Sequence, residues 1–327
     1  MIKQFRSLNP VNIILLIGFA IFLRLFIFLK LPAKVTFDFT EPFTKLLFSV
    51  PLENTFSSET NIFIALAITL LQAIILNKIV NHYNLLGKPT FLPALLYVTS
   101  STLLTPFALL SPPLICNFLV LWLISKFLSM YRRDDVRSVL FDLGMIVGLG
   151  TVFYFPFISM LPLLWISLII FRPFHWREWI IGLIGFFTIF FFLAVYYFWN
   201  DSFDQFYQIW LPLTTPFPTR LRFNIYEYLV LIPLLLIFTL SVFQLRQNFF
   251  RSFVQIRKSF QLLFFMFLLN MGSFYLNPEF RVYHFLLCAP PSAILLAYYF
   301  LHTSNKRWMY EGLYLVLIGF IIYFQLL

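Results

Sequence analysis

Apolar stretches of about twenty residues recur along the whole chain, with short polar gaps between them. About twenty apolar residues is the length with which an α-helix crosses the hydrocarbon core of a membrane. We predict eleven such spans: 10–30, 61–80, 91–110, 112–129, 139–154, 157–172, 179–199, 228–245, 260–277, 282–301 and 308–326. The pattern indicates an all-α, polytopic integral membrane protein that forms one transmembrane domain over residues 1–327.

Three places depart from this regular alternation. The fifth and sixth spans are short and meet at residues 154–156, so they are either two crossings or a partly re-entrant pair. Two gaps are long, 31–60 and 200–227. Within these gaps, large apolar and aromatic side chains recur at helical spacing in 41–48 and in 203–210, which predicts a short helix on the membrane surface in each.

Lys and Arg are concentrated in alternate gaps. One set of gaps holds sixteen of them: Lys3, Arg6, Lys78, Lys88, Lys126, Arg132, Arg133, Arg137, Arg172, Arg177, Arg246, Arg251, Arg257, Lys258, Lys306 and Arg307. The other set holds six: Lys30, Lys34, Lys45, Arg220, Arg222 and Arg281. Because the gaps rich in Lys and Arg stay in the cytoplasm, we predict a cytoplasmic N-terminus, a periplasmic C-terminus and a location in the bacterial cytoplasmic (inner) membrane.

The composition supports a membrane location. The chain is 61% hydrophobic and 11% charged, whereas an ordinary soluble domain is about 25% charged. The net charge of +10 would also suit a nucleic-acid-binding protein, but the cations lie in the short gaps where membrane orientation requires them. We therefore expect membrane lipid as a partner and no nucleic acid.

A charged residue stands inside the first span. Arg24 is flanked by Leu23 and Leu25 in the outer half of that span. A charge at this depth costs several kcal/mol unless it is paired or faces water. One interpretation is that Arg24 points into an outer cavity, toward a carboxylate or a phosphate. The other is that its side chain extends to the outer membrane surface.

Two carboxylates follow in the first long outer gap. Asp38 and Glu41 lie between large apolar residues, and partial desolvation raises the pKa of a carboxyl group toward the range that a general base needs. The alternative is a helix start with Thr40 as its cap and Glu41 and Pro42 in its first turn. That alternative accounts for Glu41 better than for Asp38.

A third polar cluster closes the gap before the tenth span. It contains Glu279, Arg281, Tyr283 and His284. An arginine can bind a phosphate with two parallel hydrogen bonds, and a glutamate can hold that arginine in place. The alternative is a local ion pair among aromatic residues at the membrane interface.

These clusters together resemble the C-type superfamily of membrane glycosyltransferases, which take sugars from polyprenyl-phosphate carriers. Arg24 near the end of the first span precedes an acidic outer loop with Asp38 and Glu41, where those families keep their catalytic carboxylates. Residues 141–150 are similar to the glycine-rich "LGLLxGLA" helix of the superfamily, and 278–291 to its "HKExRF…P" or "RYxLPxxP" segment. The chain as a whole also looks like an uncharacterised bacterial multi-span family.

Two departures from the superfamily pattern stand out. The outer carboxylates are separated as Asp38-x-x-Glu41 instead of being adjacent, and Asn277-Pro278 replaces the His-Lys pair before the glutamate. The resemblance implies transfer of a sugar to an acceptor on the outer face of the membrane. It further implies a role for each residue of the three clusters: Asp38 and Glu41 are catalytic, and Arg24, Glu279, Arg281, Tyr283 and His284 bind the substrate.

A function of a different class competes with this one. The chain could be a non-catalytic membrane subunit of an envelope assembly, secretion or transport complex, whose polar residues contact other envelope proteins. A transporter is a third alternative, but few ionisable residues lie at mid-membrane, where a coupling site is expected. We expect no organic cofactor and no metal site, since Cys and His lack metal-ligand spacing; a divalent cation on the carrier phosphate is left open.

Overall fold

In a computed structural model, every regular element of the described residues is a helix. The structure describes residues 2–29, 57–210, 227–248, 253–276, 282–302 and 307–326. Four of the predicted site residues lie outside these ranges: Asp38, Glu41, Glu279 and Arg281. So does the first predicted surface helix, 41–48.

The α-helices within the described ranges are α1 (Ile2–Phe5), α2 (Val11–Leu29), α3 (Ser58–His82), α4 (Leu92–Ser100), α5 (Pro112–Ser129), α6 (Arg137–Phe153), α7 (Leu161–Phe171), α8 (Trp176–Trp199), α9 (Phe203–Gln208), α10 (Leu231–Asn248), α11 (Val254–Gly272), α12 (Ala289–His302) and α13 (Arg307–Leu326). Short 3₁₀ segments lie between some of them: η1 (Thr105–Ala108), η2 (Phe155–Met160), η3 (Glu227–Val230), η4 (Ser273–Leu276) and η5 (Val282–Cys288).

Six of the described helical segments are long and apolar enough to cross a membrane: Val11–Phe28, Ser58–His82, Pro112–Ser129, Trp176–Trp199, Val254–Leu276 and Val282–His302. Three further apolar helical segments are shorter: Phe155–Phe171, Leu231–Gln247 and Tyr310–Gln325. The prediction of an all-helical protein with apolar helices long enough to cross a membrane is therefore confirmed for the described residues, whereas the number of eleven spans is not confirmed.

Prolines explain why several predicted spans are shorter than expected. The predicted third span, 91–110, is not one helix, because α4 ends at Ser100 and the chain restarts as η1 with Pro106 in its first turn. The predicted sixth span likewise divides into η2 and α7, which begin at Phe155 and Leu161 and carry Pro156 and Pro162 in their first turns. Proline fits the first turn of a helix, where its missing N–H leaves no hydrogen bond unmade, so it marks a new start.

Two helices form the centre of the bundle. Every residue of α4 is buried, and 89% of the Val282–His302 segment, which contains α12, is buried. These two helices pack against each other, with α3 on α4 and α10 and α11 on α12. At the periphery, only 28% of α8 is buried, so most of its surface is left for lipid or another protein.

Helices α6 and α8 make the most extensive contact between any two described elements. A methyl group added at Gly144 would overlap the main-chain oxygen of Gly182, and one added at Gly185 would overlap that of Phe141. The small residues thus let the two backbones touch, as in membrane helix pairs with GxxxG spacing. Gly144 and Gly148 are therefore packing residues at this helix contact.

The second predicted surface helix is present as α9. Trp210, just after α9, packs on Phe190 of α8 with ring centroids 4.6 Å apart, while Tyr207 is 62% exposed. The segment therefore has one face on the bundle and another directed outward. The remainder of the long gap, 211–226, lies outside the described residues.

Candidate functional site at the upper end of the bundle

We call the end of the bundle at which α2 ends and α3 begins the upper end. Ile27 near the end of α2, Ile62 in the first turns of α3 and Ala108 in η1 form a small apolar cluster there. The Asn61 side-chain oxygen accepts a hydrogen bond of 2.9 Å from the Leu110 main-chain N–H. Because η1 also packs against η5, four separate parts of the chain meet at this point.

Arg24 lies inside this junction and is fully buried. Its Nη1 donates to the main-chain oxygens of Ile62 at 3.4 Å and of Ala108 at 3.3 Å. Its Nη2 donates to the Thr69 hydroxyl at 2.8 Å. The guanidinium group therefore ties α2, α3 and η1 together. Neither interpretation from the sequence, an open cavity or an extension to the membrane surface, describes its surroundings within the described structure.

Arg24 is a buried cation whose charge is not neutralised by any described carboxylate. Each hydrogen bond from a charged donor contributes about 1.5–3 kcal/mol, whereas a buried ion loses several kcal/mol of hydration. The three hydrogen bonds and the desolvation of the ion therefore roughly cancel. The buried charge of Arg24 therefore adds little net stability to the fold.

This balance leads to a prediction for two substitutions. We expect Arg24→Met to leave the stability unchanged or raised, since an apolar side chain of similar length replaces a desolvated ion. Thr69 keeps a partner, because its hydroxyl also donates to Ala65 O at 2.7 Å. Arg24→Ala should instead lower stability by about 2–5 kcal/mol because it leaves a cavity. Thermal unfolding of the purified variants in detergent tests this, and equal losses for both would show that the fold needs the charge.

The irregular backbone of η5 is supported by side-chain amides. Asn117 of α5 donates to Leu286 O at 3.1 Å, and Asn270 of α11 donates to Leu287 O at 2.9 Å. Non-helical backbone within a membrane is tolerated only where protein or trapped water satisfies its polar groups. The two asparagines therefore allow the chain to bend before α12.

A second set of polar contacts extends from Asn117 toward α3. Asn117 Nδ2 donates to the Tyr97 hydroxyl at 3.2 Å, and Tyr97 donates to Gln72 Oε1 at 2.7 Å. Gln72 Nε2 in turn donates to Leu114 O at 2.6 Å. We call Gln72, Tyr97, Asn117 and Asn270 the buried amide layer. It links α3, α4, α5 and α11 beneath η5.

His284 of η5 is buried among protein partners rather than open to a ligand within the described structure. Its Nε2 lies 2.9 Å from Ser273 Oγ, and the Ser273 hydroxyl proton is donated to Asn270 O. Nε2 therefore carries a proton, and Nδ1 lies 2.8 Å from the Tyr154 hydroxyl oxygen. This chain of hydrogen bonds joins Tyr154, at the start of η2, to η4 and η5 and holds the His284 ring in place.

The structure thus places three of the seven predicted site residues. Arg24 and His284 are buried in separate hydrogen-bonded groups, and Tyr283 is half-buried beside His284. The sequence interpretation missed the buried amide layer. A signal for it was available, since Gln72, Asn117 and Asn270 are polar residues within otherwise apolar spans, where they need partners.

Helix α6, which contains the predicted glycine-rich segment, carries one carboxylate in its N-terminal part, away from the upper end of the bundle. Asp142 forms an ion pair of 2.7 Å with Lys126 of α5, so its charge is used between neighbouring helices at the opposite, lower end of the bundle. Among the described residues, no group of three His, Cys, Asp or Glu side chains is arranged to hold a metal ion.

Comparisons with known proteins place the chain in a family but assign it no activity. Neither the curated proteins nor the solved structures give a match. The sequence model of a family of unknown function, DUF6427, matches residues 43–327. That range contains most of the chain and all of α3 to α13. The chain belongs to the DUF6427 family of unknown function.

Proposed function

We propose that the protein is a membrane glycosyltransferase that acts at the upper end of the bundle. The donor is a sugar on a polyprenyl-phosphate carrier, and the acceptor carries a hydroxyl group on the outer side of the bacterial cytoplasmic membrane. The proposal rests on the resemblance to the C-type glycosyltransferases and on the arrangement of the described residues around η1.

One observation carries the proposal. The predicted catalytic residues Asp38 and Glu41 belong to the segment between α2 and α3, and both ends of that segment pack on η1. The predicted phosphate-binding residues Glu279 and Arg281 belong to the segment between η4 and η5, and η5 packs on the same η1. Segments that are more than 200 residues apart in sequence therefore leave the bundle from one junction, which is the arrangement that a shared site requires.

The directions of the helices support the predicted crossing pattern. In the proposed arrangement α2 runs upward, α3 downward, and each later crossing reverses the one before it, up to α13. The hydrogen bonds from Tyr83 to Ser125 O at the lower end and from Gln325 to Thr102 O at the upper end agree with it. With α4 and η1 taken as one crossing, and η2 and α7 as another, eleven crossings result. Those of the sixteen Lys and Arg residues that the structure describes then lie at the lower end, which supports a cytoplasmic location for that end.

This orientation predicts a labelling pattern for single cysteines. The starting protein would lack Cys116 and Cys288, which are buried and not joined by a disulfide. In intact cells, a membrane-impermeant thiol reagent should modify Ser57→Cys and Ser202→Cys, because both residues lie at the upper end. Ser138→Cys, at the lower end, should react only after the membrane is opened. Labelling of Ser138→Cys in intact cells would contradict the orientation.

In the proposed reaction, the acceptor oxygen bonds to the anomeric carbon of the sugar while the bond from that carbon to the carrier phosphate breaks. Asp38 takes the proton from the acceptor hydroxyl, and the phosphate leaves with the bonding electron pair. Arg281 stabilises the charge that develops on this phosphate, and such electrostatic stabilisation often contributes more to catalysis than any other effect. Glu41 and Glu279 orient these groups.

Two further predicted residues receive positioning roles in the proposal. The guanidinium group of Arg24 donates hydrogen bonds to α3 and η1. Arg24 therefore holds η1 in place and adds positive charge below the site. His284 holds η5 in place through its hydrogen bonds with Tyr154 and Ser273. Because η5 begins directly after Arg281, His284 also fixes where the segment that carries Arg281 ends. Tyr283 beside it remains the predicted substrate contact.

The test is an assay with the full-length protein in detergent or nanodiscs. A radiolabelled polyprenyl-phosphate sugar is supplied with a membrane or glycan acceptor fraction, and both consumption of the donor and transfer of the sugar are measured. The proposal expects both, above a preparation from cells that lack the protein. Failure to bind or consume any of a panel of donors, together with stable co-purification of other envelope proteins, would instead favour the non-catalytic subunit.

A further inference from the structure

A cleft of about 450 Å³ opens at the lower end of the bundle, far from the proposed site. It lies between the α5–α6 loop and the α7–α8 loop. Arg172 holds the two loops together, since its guanidinium group donates to the main-chain oxygens of Arg133 and, at 2.9 Å, of Asp134. Its Nε lies 3.5 Å from Glu178 Oε2. The two loops beside the cleft are therefore held together through the side chain of Arg172.

Part of the charge around the cleft is neutralised within the protein. Arg137 and Asp135 form a double hydrogen bond of 3.0 and 2.9 Å. Because Arg137 donates these bonds, the pKa of the Asp135 carboxyl falls to about 2. Asp135 thus stays ionised at any pH of physiological interest, and Arg137 stays engaged with it. Glu178 is likewise engaged with Arg172.

Three exposed arginines have no ion pair among the described residues. Arg177 lines the cleft itself, whereas Arg132 and Arg133 lie on the adjoining α5–α6 loop. Asp134 also lines the cleft and has no ion pair among the described residues. The two loops and the first turns of α6 and α8 together carry five arginines and three carboxylates. The local excess of positive charge favours an anion. Because arginine can donate two parallel hydrogen bonds, a phosphate group matches these cations well.

An apolar surface begins beside these cations and continues along α8. Phe174 is 70% exposed and Trp176 is 61% exposed. Ile180, Ile184 and Phe187 follow on the same side of the helix at spacings of four and three residues, and each is about half exposed. Exposed aromatic residues beside arginines are typical of the level of the lipid headgroups, and an exposed aliphatic stripe is typical of the acyl-chain region.

We propose that this cleft binds the phosphodiester headgroup of an anionic phospholipid, whose acyl chain lies along the stripe from Trp176 to Phe187. The arginines select the charge of the headgroup, and the stripe distinguishes a lipid from a free phosphate. Basic pockets between helices on the cytoplasmic side are a known form of anionic-lipid recognition. The site is independent of the proposed glycosyltransferase activity.

The experiment is native mass spectrometry of the full-length protein released from detergent, titrated with phosphatidylglycerol or phosphatidylcholine. We expect retention of phosphatidylglycerol and little retention of phosphatidylcholine. The double variant Arg133→Gln, Arg177→Gln should weaken phosphatidylglycerol binding about tenfold or more, because each arginine near an anionic headgroup contributes substantially. The matched control is Arg246→Gln, an exposed arginine near the end of α10 at the same end of the bundle.

Three results would overturn the proposal. Equal binding of phosphatidylglycerol and phosphatidylcholine would show that the site does not select a negatively charged headgroup. Wild-type affinity in the double variant, or the same loss in Arg246→Gln, would place the site elsewhere. Displacement of the lipid by millimolar inorganic phosphate or glycerophosphoglycerol would show that the cleft takes a free phosphate group. Thermal unfolding of each variant checks that the exposed substitutions leave the fold intact.

Discussion

Alanine at Gly144 or at Gly185 is expected to force α6 and α8 apart and to lower the stability of the protein by about 3 kcal/mol. At Gly144 the new methyl group would overlap Gly182 O and lie 2.8 Å from Phe186 N. At Gly185 it would overlap Phe141 O. Main-chain atoms cannot rotate away as a side chain can, so the helices must shift. Alanine favours helix over glycine by about 1 kcal/mol, which is too little to offset the overlap.

The other glycines of the chain supply a graded set of controls. Gly182→Ala should cost little, because the nearest obstacle is the flexible end of Leu164 at 3.2 Å. Gly18→Ala and Gly319→Ala meet nothing within 4 Å and should be neutral or stabilising by up to about 1 kcal/mol. Apparent unfolding temperatures in one detergent give the order. Wild-type stability of Gly144→Ala, or an equal loss in Gly18→Ala, would contradict the close helix contact.

Asp38→Asn and Arg281→Lys should each reduce sugar transfer by about 10²-fold or more. The first substitution removes the proposed base and nearly preserves its shape, and general bases contribute on this scale. The second keeps a positive charge but loses the paired hydrogen bonds to the leaving phosphate. The measurement is the initial rate of transfer from a polyprenyl-phosphate sugar at saturating donor, with protein level and unfolding temperature recorded for each variant.

Glu59→Gln is the matched control for these two substitutions. Glu59 is an acidic residue at the same end of the bundle, exposed in the first turn of α3, and it has no role in the proposed reaction. Its transfer rate should equal that of the wild type. If Asp38→Asn were fully active while substitutions at Gly144 and Gly148 abolished function, helix packing alone would matter, as expected for an assembly subunit.

Several features of the chain follow from the sequence alone. Long apolar stretches cannot be buried in a soluble core of this size, so they predict membrane helices, and the structure contains six that are long and apolar enough. The packing role of Gly144 and Gly148 was also predictable, because GxxxG spacing places two small residues on one helix face. These inferences succeed because the thickness of the membrane, the helical repeat and the size of a side chain constrain residues that are close together in sequence.

The residues of the candidate site were predictable only as clusters. The sequence pattern identified Arg24 as an unusual intramembrane charge, since the cost of such a charge does not depend on its neighbours. It could not show that the acceptors of Arg24 are main-chain oxygens of α3 and η1, 38 and 84 residues away. Nor could it show that His284 lies against Tyr154, because that contact joins segments 130 residues apart.

Only the tertiary structure decided which apolar stretches are interrupted and why the interruptions are tolerated. Hydropathy treats 91–110 as one span, but prolines divide it, and the freed backbone groups find partners on other helices. In η5, the main-chain oxygens of Leu286 and Leu287 accept hydrogen bonds from Asn117 and Asn270, which lie on two different helices. The sequence by itself therefore determined the helical membrane class of the protein and its charge asymmetry. The three-dimensional packing determined where the backbone can be irregular, because a buried polar group is stable only where a distant part of the chain satisfies it.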